Sequence, residues 1–427
     1  MPLDYPIHEH RLDNGLRVVV SPDSTVPNVT VNLWVGVGSR HESPGRTGFA
    51  HLFEHLMFQG SRNVRSGEHF EALMAVGGRL NATTWFDRTN YFETVPRGAM
   101  ELALWLEADR HGHLLDAVNQ TNLDNQRDVV KEEKRQRYDN QPYGDALIEV
   151  YAATFPAGHP YHHPTIGSME DLDAATLDDV HQFFRTHYGP NNTVLTLVGD
   201  LTPEEGLAAA ERHFGGLKPI ALPPDPTPAP LPPLAAPAEV EVRRAVPNDR
   251  LHIAFRLPVD GTADFHATAL AMDAIGGLAS SRLGRRLVRA EQSALNVNAT
   301  AWGFIGGNSL GFIAADISPE STLDHVESVV LEELERFAHE GPTQGELEAS
   351  LAQTERGWLQ ALASQEERAD LISQRALLSG DPTLVNTFLD ELRAVTAADI
   401  QGAAATWLQP EARATIRYRK TDGQEAA

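Results

Sequence analysis

The chain has 427 residues, 41% of them apolar and 22% charged, with 59 Asp and Glu against 35 Lys and Arg for a formal net charge of −24, and no cysteine. That length exceeds one ordinary core and implies two domains of roughly 200 residues, while the negative charge argues against nucleic acid and against an anionic membrane surface as partners. Without cysteine, disulfides and Cys-rich structural metal sites are excluded, so any metal must be held by His, Asp or Glu.

The opening segment MPLDYPIHEHRLDNGL has neither the basic nor the apolar part of a signal peptide. No run of 18 apolar residues follows it, which makes a cytoplasmic protein the default expectation. From Arg11 the pattern is strand, turn, strand. Asn14-Gly15 is a hairpin signal, followed by Leu16 to Val20 and then Val29 to Val35. Next comes TGFAHLFEHLMFQG, residues 47–60, in which Phe49, Leu52, Phe53, Leu56 and Met57 recur with the period of an amphipathic helix. His51 and His55, four apart, project from one face of such a helix with Glu54 beside them. Two imidazoles so placed can grip one metal ion, and the carboxylate can handle a proton.

A helix around Phe70 to Met74, strands around Leu80 to Thr84 and Asn90 to Val95, and a long helix from Gly98 to Leu115 follow. Asn122 to Tyr138 is a further helix and carries Glu132 and Glu133. His159, His162 and His163 lack helix spacing and lie in a Pro-rich loop, so they are read as structural. Pro-rich PIALPPDPTPAPLPPLAAP, residues 219–237, can form neither a helix interior nor a central strand. It is read as a stiff linker, dividing the chain into domains 1–218 and 239–427 around a 219–238 connection. The second half repeats the first. Thr176 and Asp179 recur as Thr396 and Asp399, both spaced as capping boxes, and Pro190 recurs as Pro410, each at an offset of 220. Asn81 to Trp85 parallels Asn298 to Trp302 at an offset of 217. A duplicated α+β unit is implied. The second copy has no zinc signature, only His266 to Met272 at the equivalent place.

His51-Leu52-Phe53-Glu54-His55 resembles the inverted zincin signature of the pitrilysin (insulinase) metallopeptidases. LDNQRDVVKEEKRQRYDNQPYG, Gly78 to Thr83, Asp87 to Tyr91, His159-Pro160-Tyr161, Tyr188 to Asn192 and Gly199-Asp200 extend the likeness over most of the chain. The resemblance implies an α+β fold of two homologous domains forming a half-shell, each a mostly antiparallel sheet covered by helices on one side. It implies one zinc ion held by His51, His55 and a glutamate of the second helix, with Glu54 as general base. Successive helical residues lie about 100° apart, so only one of Glu132 and Glu133 can face the metal. Chemistry leaves both open, and the family's spacing selects Glu132. Asn125, seven residues earlier where many relatives carry a glutamate, is a second-shell candidate. Asn81 and Ala82 match the edge strand on which the family pairs substrate backbone. Imidazole and carboxylate ligands would also accept manganese or cobalt.

Active relatives carry an arginine and, seven residues on, a tyrosine after a Ser-Ser-Arg-Leu-like segment, where they stabilise the tetrahedral intermediate. After Ser280-Ser281-Arg282-Leu283 the two positions hold Val288 and Leu295, or Arg289 and Asn296 one residue on; no tyrosine lies between Tyr188 and Tyr418. A zinc endopeptidase is therefore expected as the metal-bearing subunit of a heterodimer. A homologous non-zinc partner supplies the Arg/Tyr pair, and peptides or short unfolded polypeptides are cleaved in an enclosed chamber. The alternative is a non-catalytic peptide-binding or structural subunit with a vestigial metal site.

Overall fold

A computed structural model describes residues 3–421. Among the described residues eleven strands form two sheets: β1 (His8–Arg11), β2 (Arg17–Pro22), β3 (Asn28–Val35), β4 (Arg79–Thr84), β5 (Thr89–Pro96) and β6 (Thr193–Gly199), then β7 (Ala238–Arg244), β8 (Arg250–Leu257), β9 (Ala294–Trp302), β10 (Ser309–Ile317) and β11 (Ala414–Lys420). The first sheet has the order β1-β2-β6-β3-β5-β4 and the second β7-β11-β8-β10-β9. With β1 set aside, both sheets place their five strands in the sequence order first, fifth, second, fourth, third. In both, only the first–fifth pair is parallel (β2 with β6, β7 with β11). The fold is thus α+β and internally duplicated.

Local signals recur at the duplicated positions. Thr176 and Thr396 each cap a helix, Leu177–His187 and Ala397–Trp407, in reciprocal capping boxes with Asp179 and Asp399. Pro190 and Pro410 each open a 3-10 turn, just before β6 and β11. Asn14-Gly15 turns β1 into β2, with Gly15 at φ 90°, a left-handed conformation that favours glycine.

The chain forms two compact units, but not as two continuous halves. One comprises residues up to 133, 165–226 and 358–388; the other comprises 134–164, 227–357 and the residues from 389 on. Residues 218–230 have no regular secondary structure, as the prolines require. In the first unit Val18, Val20, Val31, Leu195 and Leu197 pack on one face of the sheet with Leu104, Ala209 and Phe214. The alternate residues Val19, Trp34, Val194 and Val198 pack on the other face with Leu362, Ala369 and Ile372. This corrects the expectation of a sheet covered on one side: the helix Gln365–Gln374 covers its second face. In the second unit Leu251, Ile253 and Phe255 join a core with Phe265, Val330 and Ile400. There the helix Ala146–Thr154 packs against β8 and β11, next to the Tyr418 hydroxyl, which donates to Asp145 Oδ1 at 2.8 Å.

Burial holds several histidines neutral. It lowers His41 to about 3, with Arg40 adding to the effect, and lowers His111, His187 and His252 to about 4. The unfolded chain protonates these groups near 6.5, so between pH 6.5 and 4 it takes up protons that the native state refuses. Stability is therefore expected to fall as pH drops through that window, by up to about 1.4 kcal/mol per histidine per pH unit. Urea midpoints at pH 7 and pH 5 check this; equal midpoints would show that the four rings do not govern the acid limb.

Candidate functional site

Helix α1 (Phe49–Leu56) carries the His-x-x-Glu-His run. Phe49, Leu52, Phe53 and Leu56 are buried, whereas His51, Glu54 and His55 lie half-buried on the other side. Phe53 packs on the rings of Phe183, Phe184 and Tyr188, with centroids 5.4, 5.8 and 4.5 Å away, and so fixes the roll of α1. Its N-terminus is held by Glu42, whose carboxylate accepts from the Gly48 N–H at 2.9 Å and the Ala50 N–H at 2.8 Å. A carboxylate there also suits the positive end of the helix dipole. Three more helices complete the region: α2 (Glu68–Ala75), α3 (Met100–His113) and α4 (Gln120–Lys134).

From α4, Glu133 reaches both imidazoles. Its Oε1 lies 3.6 Å from His51 Nε2 and its Oε2 lies 3.3 Å from His55 Nε2. The expected Glu132 is exposed one position away, because a helical step of about 100° turns it off the shared face. The same one-residue slip affects the second-shell candidate. Asn125 is exposed, and Gln126, two turns before Glu133, is the buried amide on that face. Donor atoms of His51, His55 and Glu133 all fall within 4.8 Å of one another. Around one tetrahedral zinc with bonds of about 2.1 Å, ligand atoms stand roughly 3.4 Å apart. The 3.3 and 3.6 Å separations and the N/N/O donor set fit that ion.

Glu54 points to the edge of the first sheet. Its Oε2 accepts from the Thr84 hydroxyl of β4 at 2.6 Å. Burial raises the Glu54 carboxyl above its ordinary range; the Thr84 hydrogen bond and His55 work against that, and the Glu133 charge adds to it. The sequence reading missed Thr84, although its alternation with Ala82 on β4 places both toward α1. β4 ends the sheet, pairing with β5. Asn81 on it is exposed and Ala82 is 8% exposed; the Ala82 N–H donates to Asn81 Oδ1 at 2.9 Å.

Other candidates are structural. His159 stacks on Phe155 at 4.7 Å and accepts from the Tyr161 N–H, while His162 Nδ1 lies 2.8 Å from the Phe155 carbonyl. In the second unit Arg282 is buried in an ion pair with Glu346 at 2.8 Å, Val288 packs on the core, Leu295 is 54% exposed, and Arg289 donates to the Ala279 carbonyl at 2.6 Å.

Below α1, His69, Glu93 and Glu107 also bring their donor atoms within 4.8 Å. Arg110, however, grips both oxygens of Glu107, Nε to Oε2 at 3.0 Å and Nη2 to Oε1. Its guanidinium lies 4.6 Å from the ring centres of Phe58 and of Tyr91. Burial opposes the Glu107 charge, but Arg110 prevails and holds the carboxyl down to about 2; burial and the Glu107 charge push Glu93 well above its usual range. The two carboxyls are thus pushed in opposite directions, and Arg110 is the cation that the cluster is built around.

The insulinase (peptidase family M16) model matches residues 17–168, and the model described as the peptidase M16 inactive domain matches residues 174–354. The chain belongs to the insulinase, or M16, peptidase family. It is similar to zinc protease PqqE of Helicobacter pylori, 33% identical over 64% of this chain and 61% of that one. It is also similar to an uncharacterized zinc protease of Streptomyces coelicolor, 27% identical over 92% of this chain and 85% of the relative. The crystal structure of a protease from Helicobacter pylori superposes with a TM-score of 0.90 at 25% identity, covering 97% of this chain and 99% of the other. No helix of the described residues is long and apolar enough to cross a membrane.

Removing the cation from the buried cluster is expected to be severe. Arg110→Met leaves the Glu107 charge uncompensated at a cost of about 3–5 kcal/mol, and adding Glu107→Gln recovers most of it. Urea unfolding checks both; a mild effect of Arg110→Met alone would mean that Glu107 is neutral in the native state.

Proposed function

We propose that this chain is a zinc-dependent endopeptidase in which His51, His55 and Glu133 hold the metal and Glu54 is the general base. The observation that carries this reading is the Glu133 carboxylate set 3.3 and 3.6 Å from the two imidazoles of one helix face. When bound, the metal supplies a Lewis acid with an open position, which acidifies a water and polarises a carbonyl. Glu54, next to His55 in the chain, takes up the proton of the attacking water and returns it to the leaving amine. Thr84 aims the Glu54 carboxylate through its hydroxyl. A substrate strand adds to β4 at Asn81 and Ala82, taking over the Ala82 N–H from the Asn81 side chain, so main-chain groups carry most of the contact.

The missing tyrosine supports a heterodimer. This chain would bring the metal site, and a homologous partner without zinc would bring the Arg/Tyr pair that steadies the oxyanion. Peptides and short unfolded polypeptides are the substrates, selected by the size of an enclosed chamber. The same absence favours a second reading, a peptide-binding subunit that does not turn over. An intact base beside the ligands speaks against it.

Glu54→Gln is expected to retain zinc and to lose at least about 100-fold in turnover. Glu133→Gln should lose zinc on dialysis, weakening by more than the roughly 10–100-fold typical of an outer-shell change, while Glu132→Gln keeps it. Metal analysis and hydrolysis of a quenched fluorescent peptide read these outcomes; undiminished cleavage by Glu54→Gln removes its role. The zinc-loaded chain alone is expected to be inactive, with turnover appearing on addition of a homologous Arg/Tyr-bearing chain and a matching mass increase in light scattering. Full chelator-sensitive turnover by the chain alone would remove the heterodimer.

A further inference from the structure

The second face of the first sheet holds a cavity of about 340 Å³ between strands β4 and β5 and the helix Gln365–Gln374, all within one compact unit. Its wall includes Thr83 and Phe92 from the sheet, Arg88 from the β4–β5 turn, and Glu366, Glu367 and Asp370 from the helix. We propose that this cavity is a side-chain subsite that selects a cationic residue, Lys or Arg, of a peptide paired along β4. The assignment rests on the endopeptidase reading for the docking of a peptide at that edge.

Strand alternation gives the geometry. On β4, Thr84 faces α1 and bonds Glu54, whereas Thr83 faces the opposite way, its hydroxyl 2.5 Å from Asn90 Oδ1. A peptide added beside β4, at the usual strand spacing of about 4.8 Å, sends successive side chains to the two faces in turn. One residue therefore lies over the metal side, and its neighbour in sequence lies at the mouth of the cavity. The volume suits one long side chain, at the low end of small-ligand sites.

Charge chooses the occupant. Three carboxylates line the space against one guanidinium, and that guanidinium is already engaged. Arg88 Nη1 donates to the Thr83 carbonyl at 2.9 Å, to the Thr83 hydroxyl and to Asn90 Oδ1 at 3.1 Å, with its carbon 4.8 Å from the Trp34 ring centre. Among the described residues Asp370 accepts from neutral donors, Trp34 Nε1 at 2.8 Å, Asn90 Nδ2 at 3.0 Å and Asn32 Nδ2 at 3.3 Å. Glu366 accepts from the Thr94 hydroxyl at 3.1 Å. Asp370 shares the field of Arg88, but Glu366 and Glu367 form no ion pair among the described residues, so an incoming ammonium or guanidinium meets two uncompensated carboxylates, and Phe92 and Leu371 offer apolar wall to its aliphatic stem. An acidic side chain would meet the same field as repulsion.

The test uses the zinc-loaded Glu54→Gln chain, which binds without cleaving, and fluorescence anisotropy with peptides carrying one arginine or its neutral isostere citrulline at each position in turn. At one position the arginine peptide should bind at least about 10-fold tighter than its citrulline twin, with the gap shrinking as salt screens it. Glu366→Gln with Glu367→Gln should close the gap and leave the citrulline affinity unchanged. Glu367→Lys, at an exposed position of the same wall, should shift preference toward a glutamate peptide. No gap at any position, or a gap that survives both substitutions, overturns the subsite. A gap present when the unsubstituted chain cleaves neither alone nor with a homologous Arg/Tyr-bearing chain would instead remove the enzyme reading and leave the subsite standing.

Discussion

Eight residues of α1 must do two things at once, and the first unit is built around that demand. The helix buries Phe49, Leu52, Phe53 and Leu56 while turning His51, Glu54 and His55 the other way. A helix this short is not stable alone. Its position comes from the aromatic packing of Phe53 on Phe183, Phe184 and Tyr188, and from the Glu42 carboxylate on its first amides. Rotation of α1 by one residue would carry both imidazoles away from Glu133. The apolar face therefore sets the geometry of the polar one.

Beneath α1 the molecule keeps a charged cluster where a small apolar core would cost less. Arg110 lies against Phe58, just past the end of α1, and against Tyr91, whose hydroxyl is 2.7 Å from that of Tyr188. Glu107 and His69 complete it, tying α2 and α3 together beside β5. A buried ion pair is poor evidence of added stability, but its directional bonds fix the relative roll of the elements that carry it. Helix α1 thus rests on a floor that cannot slide without exposing a buried charge.

Most of the local structure was legible in the sequence because its signals are short-range. The amphipathic period of residues 49–57, the Asn14-Gly15 turn and the Thr176 and Thr396 capping boxes each lie within one element and recur as expected. The errors came from reasoning across distance. Selecting Glu132 depended on a count of nearly 80 residues through loops, where one residue of difference turns the helix by about 100°, and Asn125 inherited the same slip. Expecting helices on one side of the sheet overlooked the apolar run Val18-Val19-Val20 and the near-continuous one from Val194 to Val198, interrupted only by Thr196. Runs of that kind, unlike alternating ones, indicate burial on both faces. What they could not reveal is the identity of the second cover, because the helix Gln365–Gln374 lies more than 160 residues beyond β6 in the chain.

That distant helix explains why the second half of the chain cannot be dismissed as an inert copy. It lacks the histidine pair, yet the segment 358–388 belongs to the compact unit that bears His51, His55 and Glu133. Its Asp370 gathers Asn32, Trp34 and Asn90 from two strands of the first sheet, and Ser373 Oγ donates to Thr196 Oγ1 at 2.7 Å within the sheet's buried face. β4, the edge on which a substrate strand would pair, is thereby backed by residues from both halves of the sequence. The second copy thus places its acidic residues Glu366, Glu367 and Asp370 behind that edge, while His51, His55 and Glu133 lie on the opposite face of the same sheet.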